Sequence, residues 1–144
     1  MSMHVTSDKG DIGVLSIAAD LTKKGCDIFI PMSSTLPYDL LVGKNNKFYK
    51  VSVKYREEKN GVVDIEFKRA VISNSKKTKR RLENDEVDFF AIYCPTTDKC
   101  YYINFIEFEH LKCGIRLRIN PTGNNQTKTV NLADNYTNID FLGL

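Results

Sequence analysis

The chain has 144 residues, of which 42% are hydrophobic and 27% are charged, a composition that favours one soluble globular domain. No apolar run is long enough to cross a bilayer, and the N-terminus lacks an apolar secretory segment. We therefore expect a cytoplasmic protein that has no membrane partner. Its net charge of +3 is too small to establish a nucleic-acid partner by itself.

The first half of the chain predicts a helix followed by strands. From residue 10 to 24, apolar side chains recur at helical intervals, and Gly25 follows at a position where a helix would stop. This spacing predicts an amphipathic helix. Alternating or β-prone residues predict strands at about 27–31, 39–42, 48–55 and 62–70.

The second half of the chain adds a second hairpin. We predict a helical turn at RRLENDEV and a hairpin formed by VDFFAIYC and YYINF through residues 95–99. A further strand is predicted at GIRLRIN, and residues 130–136 give a weak helix signal. We expect Cys94 and Cys100 to face each other across this hairpin as thiols. Together these elements predict an α+β domain with a mixed sheet.

Residues 37–54, PYDLLVGKNNKFYKVSVK, have the pattern of a β-hairpin with one apolar and one polar face. If the turn is centred between Asn45 and Asn46, Asp39 lies opposite Ser52. Residues opposite each other share a face of the sheet, so Asp39, Ser52 and Lys54 converge. A shift of one residue in register would separate them. An ordinary cross-strand ion pair between Asp39 and Lys54 is the alternative interpretation.

A strongly basic segment follows at residues 68–81, KRAVISNSKKTKRR, with seven basic residues and no acid. Such a run is more typical of a solvated, mobile loop than of a specific surface. The functional alternative is a segment that grips nucleic-acid phosphates, which would make binding steeply dependent on salt.

The PYD and VSVK segments of the first hairpin resemble the split active-site motif of the PD-(D/E)XK nuclease superfamily. Three further segments resemble the bacterial group I intron-encoded homing endonuclease branch of this superfamily: KGDIGVLSIAADLTKKGCDIFIP, VDFFAIYCPTTDKCYYINF and NNQTKTVNLADNYTN. This resemblance covers nearly the whole chain. It implies a single nuclease domain at 1–144, with a restriction-endonuclease-like core at about 9–108, where helices flank a mixed sheet, and a C-terminal extension at 109–144.

The resemblance implies site-specific hydrolysis of phosphodiester bonds in double-stranded DNA. By this resemblance, Asp39 binds Mg²⁺ (or Mn²⁺), the backbone carbonyl of Val53 adds a second metal ligand, and Lys54 orients the attacking water. Hard carboxylate oxygens suit Mg²⁺, and the phosphate needs positive charge as the transition state forms.

The chain departs from this family pattern at two catalytic positions. Ser52 stands where relatives carry Glu or Gln, and it is a poor metal ligand. Val14 stands where relatives place an acid on the first helix. Asp11 lies one turn earlier on roughly the same helix face and is the candidate replacement. The alternative for Asp11 is an acid that only complements the helix dipole.

Cleavage of both DNA strands requires two active sites, so we expect a homo-oligomer, a dimer at minimum and a tetramer by family resemblance. Arginine can contact guanine, and asparagine or glutamine can contact adenine, in the major groove. The expected DNA-binding residues are basic or amide side chains: Arg56, Lys68, Arg69, Lys76, Lys77, Lys79, Arg80, Arg81, Asn124, Gln126 and Lys128.

Three other functions remain open at the level of sequence. A Holliday-junction resolvase shares the superfamily motif. A catalytically impaired DNA-binding protein of the same fold would explain Ser52 and Val14. An RNA-binding or intron-folding helper is supported by the basic run alone.

Overall fold

The structure is a computed structural model that describes residues 5–111, 113–120 and 130–143. Helix α1 spans Val5–Lys23, so the predicted N-terminal helix is confirmed and begins earlier than expected. Gly25 follows it with φ 85°, a left-handed conformation that glycine adopts at little cost and that ends a helix. No helix in the described part of the chain is long and apolar enough to span a membrane.

Short strands make up most of the remaining chain. The described strands are β1 Asp27–Phe29, β2 Leu40–Lys44, β3 Lys47–Tyr55, β4 Val62–Glu66, β5 Lys68–Ser73, β6 Lys76–Arg81, β7 Phe89–Cys94, β8 Lys99–Asn104, β9 Gly114–Arg118 and β10 Asn131–Leu132. A short helix, α2, spans Phe105–Phe108, and 3₁₀ turns span Ala133–Tyr136 and Asp140–Leu142. The weak helix signal at 130–136 thus corresponds to a 3₁₀ turn. The helical turn expected for RRLENDEV is replaced by the end of β6 and a turn in which the Glu86 N–H donates to the Glu83 carbonyl.

The central sheet has the order β1-β2-β3-β7-β8. Strands β3 and β7 are parallel, and the other neighbours are antiparallel. The sheet is therefore mixed, as predicted. The chain between β3 and β7 forms strands β4, β5 and β6. Strand β4 belongs to a second sheet, whose order is β10-β9-β4.

Apolar clusters cover both faces of the central sheet. On one face, Ile17 and Leu21 of α1 pack with Val51 and Phe89. On the other face, Phe67 stacks on Phe90 with ring centroids 4.9 Å apart, within a cluster shared with the second sheet. Burial of these aromatic rings is a main stabilising term. The architecture is an α+β fold with a mixed central sheet, as the sequence predicted.

The predicted strand at 62–70 is in fact two strands that separate at Phe67. The Phe67 N–H donates to the Cys113 carbonyl, whereas its carbonyl accepts from the Leu82 N–H. Through its N–H, Phe67 therefore belongs to the pairing of β4 with the β9 segment, and through its carbonyl it begins the pairing of β5 with β6. Its ring is fully buried, and this burial fixes the point at which the chain changes partners.

The basic segment expected to be a mobile loop is a regular two-stranded antiparallel ribbon of β5 and β6. Asn74 and Ser75 connect the strands with φ values of 51° and 62°, the backbone required by a tight two-residue hairpin turn. We call residues 68–81 the basic ribbon. Charge repulsion along the segment did not prevent strand pairing.

The expected placement of the two cysteines is wrong by one position. Tyr93 pairs with Cys100, and Cys94 pairs with Lys99. Because side chains alternate along a strand, Cys94 packs in the Phe90 cluster and Cys100 packs on the α1 side. The two thiols therefore lie on opposite faces of the sheet.

Candidate active site

The hairpin of β2 and β3 has the register that the sequence predicted. Leu40 pairs with Val51, and a two-residue turn at Asn45 and Asn46 joins the strands with φ values of 53° and 63°. The Asp39 N–H continues the ladder by donating to the Val51 carbonyl at 2.8 Å. Asp39, just before β2, is therefore held against β3 at Val51, the residue that Leu40 also faces.

Strand β3 continues to Tyr55, beyond the end of its pairing with β2 at Val51. The Asp39 carboxylate lies against this unpaired part of the edge. Its Oδ2 accepts a hydrogen bond of 2.7 Å from the Val53 N–H. The N–H and C=O of one strand residue point to the same edge, so the Val53 carbonyl also faces this side. Although Asp39 reaches solvent, surrounding protein atoms desolvate its carboxylate and raise its pKa, against the opposing effects of the Val53 hydrogen bond, Lys54 and Arg69.

Lys54 is held as a buried amine beneath the same edge. Its Nζ donates to the Lys68 carbonyl at 2.8 Å and lies 5.7 Å from the centre of the Phe90 ring. Burial lowers the Lys54 pKa to about 8, assisted by the charge of Arg56 and opposed by those of Asp39 and Glu66. The amine is therefore poised to change its protonation state close to neutral pH.

Asp39, Ser52 and Lys54 line one cleft of about 300 Å³, which we call the Asp39 cleft. Ser52 is only 5% exposed, so its hydroxyl reaches the cleft from the floor. Glu66 also lines this cleft. The sequence placed Glu66 on the polar side of its strand, but no local pattern indicates that β4, which is not hydrogen-bonded to β3, brings it beside Lys54.

The two helix positions lie elsewhere. A Cβ added at Gly13 would lie 3.5 Å from the Tyr55 Cβ and 3.6 Å from Val53 Cγ1, so α1 packs on the face of β3 opposite Ser52 and Lys54. Val14 packs against the α1-side core. Asp11 is exposed, and it is not among the residues that line the Asp39 cleft. The structure does not bring the expected replacement acid into the cleft.

The expected DNA-binding residues fall into separate groups. Four of them line the Asp39 cleft: Arg56, Lys68, Arg69 and Lys79. Lys76 and Lys77 are exposed beside the turn of the basic ribbon. Asn124, Gln126 and Lys128 lie outside the described residues.

Arg80 and Arg81 instead hold the base of the basic ribbon to the body of the protein. Arg80 makes a bidentate pair with Glu86 at 2.8 and 2.6 Å. Arg81 donates to the carbonyls of Leu111 and Glu109, and its guanidinium lies 5.9 Å from the centre of the Phe105 ring. Such forked contacts fix the direction of a strand as well as its charge.

The oxygen atoms of the Asp39 cleft suit a divalent cation that binds together with its substrate. No group of three or more His, Cys, Asp or Glu side chains able to hold a metal occurs in the described ranges. The available donors are the carboxylates of Asp39 and Glu66 and the carbonyl of Val53. Mg²⁺ is commonly held by one or two carboxylates, with waters and substrate phosphates completing its shell. This donor set therefore fits Mg²⁺ or Mn²⁺.

Comparisons with known proteins agree with this geometry. A family model described as PD-(D/E)XK endonuclease matches residues 4–139. A solved structure of a bacterial homing endonuclease, I-Ssp6803I, has the same fold, with a TM-score of 0.69 and 20% sequence identity over 91% of this chain and 87% of that chain. No curated protein sequence gives a significant match. Because the family match spans most of its length, the chain belongs to the PD-(D/E)XK endonuclease family.

Proposed function

We propose that this protein is a site-specific homing endonuclease that hydrolyses phosphodiester bonds of double-stranded DNA with Mg²⁺ or Mn²⁺. The observation that carries the proposal is the convergence of the Asp39 carboxylate and the Lys54 amine in one cleft with basic walls. A phosphodiesterase needs both an oxygen ligand for a hard cation and positive charge beside the phosphate.

The residues of the cleft divide the chemistry between them. Asp39 and the Val53 carbonyl would hold the metal, which would polarise the phosphate and lower the pKa of a coordinated water. The Val53 N–H fixes the orientation of the Asp39 carboxylate through Oδ2, so this carboxylate would reach the metal in one orientation. Lys54 positions the attacking water and offsets negative charge on the phosphate.

The path of the DNA is inferred from two adjoining clefts. A second cleft, of about 420 Å³, shares Arg56, Glu66 and Lys79 with the Asp39 cleft. Together the two are lined by seven basic residues, Lys9, Lys54, Arg56, Lys59, Lys68, Arg69 and Lys79, and by four acids, Asp39, Glu57, Asp64 and Glu66. The positive excess would attract a phosphate backbone.

The basic ribbon is the proposed element for the major groove, because a two-stranded ribbon fits that groove. Its exposed Lys76 and Lys77 would contact the DNA farthest from the cleft. Two copies of the chain, at minimum, would place one active site on each DNA strand, and the family resemblance suggests a tetramer.

A catalytically impaired DNA-binding protein is the second candidate, because Ser52 offers no carboxylate at the motif position. The substitution Ser52→Glu separates the two. An impaired protein should gain Mg²⁺-dependent nicking from the added carboxylate, whereas an active enzyme already cleaves without it.

The decisive experiment incubates the protein with a plasmid library and Mg²⁺ and maps the breaks. Asp39→Asn and Lys54→Ala should reduce the cleavage rate by about 100-fold or more, the scale of losing one electrostatic group in an active site, while DNA binding persists. Asp27→Asn and Lys99→Ala remove the same charges at the two opposite edges of the central sheet and should cleave normally.

Two results would contradict the proposal. Equal cleavage by all five proteins would remove Asp39 and Lys54 from the mechanism. Cleavage of four-way junctions regardless of sequence, with linear duplex left intact, would indicate a Holliday-junction resolvase instead.

A further inference from the structure

The Asp39 cleft lacks the second acid that its motif position would supply. Ser52 is short, neutral and almost completely buried, so its hydroxyl is a weak ligand for a hard dication. Among the other residues that line the same cleft, Glu66 is the acid. Its position at the end of β4 is set by two independent contacts, one on each of the two residues that follow it.

The first contact is an aromatic stack. Phe67, next in the chain after Glu66, stacks on Phe90 at a centroid distance of 4.9 Å. Phe90 is the direct neighbour of Ser52 in the parallel pair of β3 and β7. The end of β4 is therefore anchored above the strand position next to Ser52.

The second contact joins the same segment to the catalytic lysine. The carbonyl of Lys68, two residues after Glu66, accepts the 2.8 Å hydrogen bond from Lys54 Nζ. The charge of Glu66 also acts on the Lys54 amine and raises its pKa against the effect of burial. Glu66 is thus placed beside Lys54 by contacts of the two residues that follow it, which do not depend on its own side chain.

The Glu66 carboxylate is charged and accessible. It forms an ion pair of 3.0 Å with Lys79, and its side chain is 44% exposed. This contact lowers the Glu66 pKa. Exposed ion pairs of this kind are weak, so a divalent cation can replace the Lys79 ammonium as the partner of the carboxylate.

We propose that Glu66 is the second carboxylate ligand of the metal, in place of the acid that Ser52 does not provide. This inference rests on the proposed metal-dependent nuclease function. It makes Lys79 a competitor of the metal for the same carboxylate. Glu66 and Lys79 should therefore affect metal affinity in opposite directions.

The test measures Mn²⁺ binding to the full chain without DNA, followed by the electron paramagnetic resonance signal of the free ion. Glu66→Gln should weaken binding by about tenfold or more, because even groups that only orient a metal ligand contribute about that much. Lys79→Ala should strengthen it. The matched control is Asp64→Asn, on the same strand, since Asp64 lines only the adjoining cleft. The Mn²⁺ affinity of this variant should change by no more than about twofold, because the Asp64 carboxylate does not line the Asp39 cleft and salt screens its exposed charge.

A rescue variant distinguishes metal binding from a purely structural ion pair. Ser52→Glu combined with Glu66→Gln restores the number of carboxylates in the cleft and should recover Mn²⁺ affinity and cleavage. Thermal unfolding of each variant confirms that it is folded. If Glu66 served only to hold Lys79, Glu66→Gln would leave Mn²⁺ affinity unchanged, and Ser52→Glu would raise that affinity equally in the parent and in the Glu66→Gln background.

The outcomes separate this inference from the proposed function. If the parent protein binds Mn²⁺ and cleaves DNA, and Glu66→Gln behaves like Asp64→Asn, Glu66 is not a ligand and the nuclease function stands. If the parent neither cleaves DNA nor binds Mn²⁺ better than Asp39→Asn, the proposed function fails and the role of Glu66 fails with it.

Discussion

The β2–β3 hairpin and the basic ribbon have the same type of turn, but they differ in the residues that surround them. Both have tight two-residue turns in which both residues have positive φ. The first hairpin lies within the central sheet, with Leu40 and Val51 fully buried. The second pairs only with itself, and residues 72–80 are exposed. Core packing therefore fixes the side chains of one hairpin, whereas the other holds Lys76 and Lys77 exposed beside its turn.

The largest expected effect is the difference in stability between matched substitutions in the two hairpins. Leu40→Ala removes a fully buried side chain and should lower the free energy of unfolding by about 2–5 kcal/mol. Ile72→Ala, at a residue that is 77% exposed, should change it by no more than about 0.5 kcal/mol. Urea denaturation measures both values. Similar losses would show that the ribbon is packed against another part of the molecule.

A smaller effect is expected on DNA affinity when the ribbon loses its outer charges. Lys76→Ala combined with Lys77→Ala should reduce the slope of log affinity against log salt by about 2, because each phosphate contact contributes about one unit. Cleavage by DNA-saturated protein should stay unchanged. Lys99→Ala, which removes one charge from β8, is the control for net charge. An unchanged slope in the double variant would exclude the tip of the ribbon from the DNA interface.

The buried amine of the central sheet should make stability depend on pH. The pKa of Lys54 falls from an ordinary value of 10.5 to about 8 on folding, so the unfolded chain binds more protons between these limits. Stability should therefore rise with pH across this window. Lys54→Met removes this contribution, and the variant should gain stability relative to the parent below pH 8, with the difference narrowing towards pH 10.5. Denaturation at several pH values measures the difference, and a constant offset would contradict the low pKa.

The smallest effect concerns the base of the ribbon. Arg80→Ala removes the bidentate contact with Glu86, an exposed pair that should contribute about 1 kcal/mol or less. Amide hydrogen exchange should quicken in β5 and β6 and stay unchanged in β2 and β3. Lys76→Ala, at the far end of the same strand, is the control. Equal protection in both variants would mean that the arginine does not hold the ribbon.

The sequence predicted the first hairpin well because its information is local. Apolar alternation along β3 and the Asn45-Asn46 turn determine the register, and this register brings Asp39, Ser52 and Lys54 to one cleft. The N-terminal helix was predicted for the same reason, since its apolar spacing and Gly25 lie in one continuous segment. The α+β class followed from the order of these elements.

The features that were missed depend on contacts between distant parts of the chain. The break at Phe67 arises because its N–H bonds to Cys113 and its carbonyl bonds to Leu82, and these two partners lie in different parts of the chain. The ribbon has charged residues at positions where a typical strand alternates apolar and polar residues. The sequence therefore shows no alternation that would predict the pairing of β5 with β6. The position of Glu66 in the cleft follows from the stacking of Phe67 on Phe90, which no spacing along the sequence encodes.

The hydrogen bond from Lys54 Nζ ends on the main chain of residue 68 and not on its side chain. The link between the ribbon and the amine is therefore indifferent to the identity of the amino acid at that position. Under the proposed function, a substitution at position 68 would leave the contact with Lys54 intact, provided that the peptide group keeps its direction. Many side chains should accordingly be tolerated at position 68, whereas proline at 69 should lower turnover, because it lacks the N–H that a paired strand residue can donate.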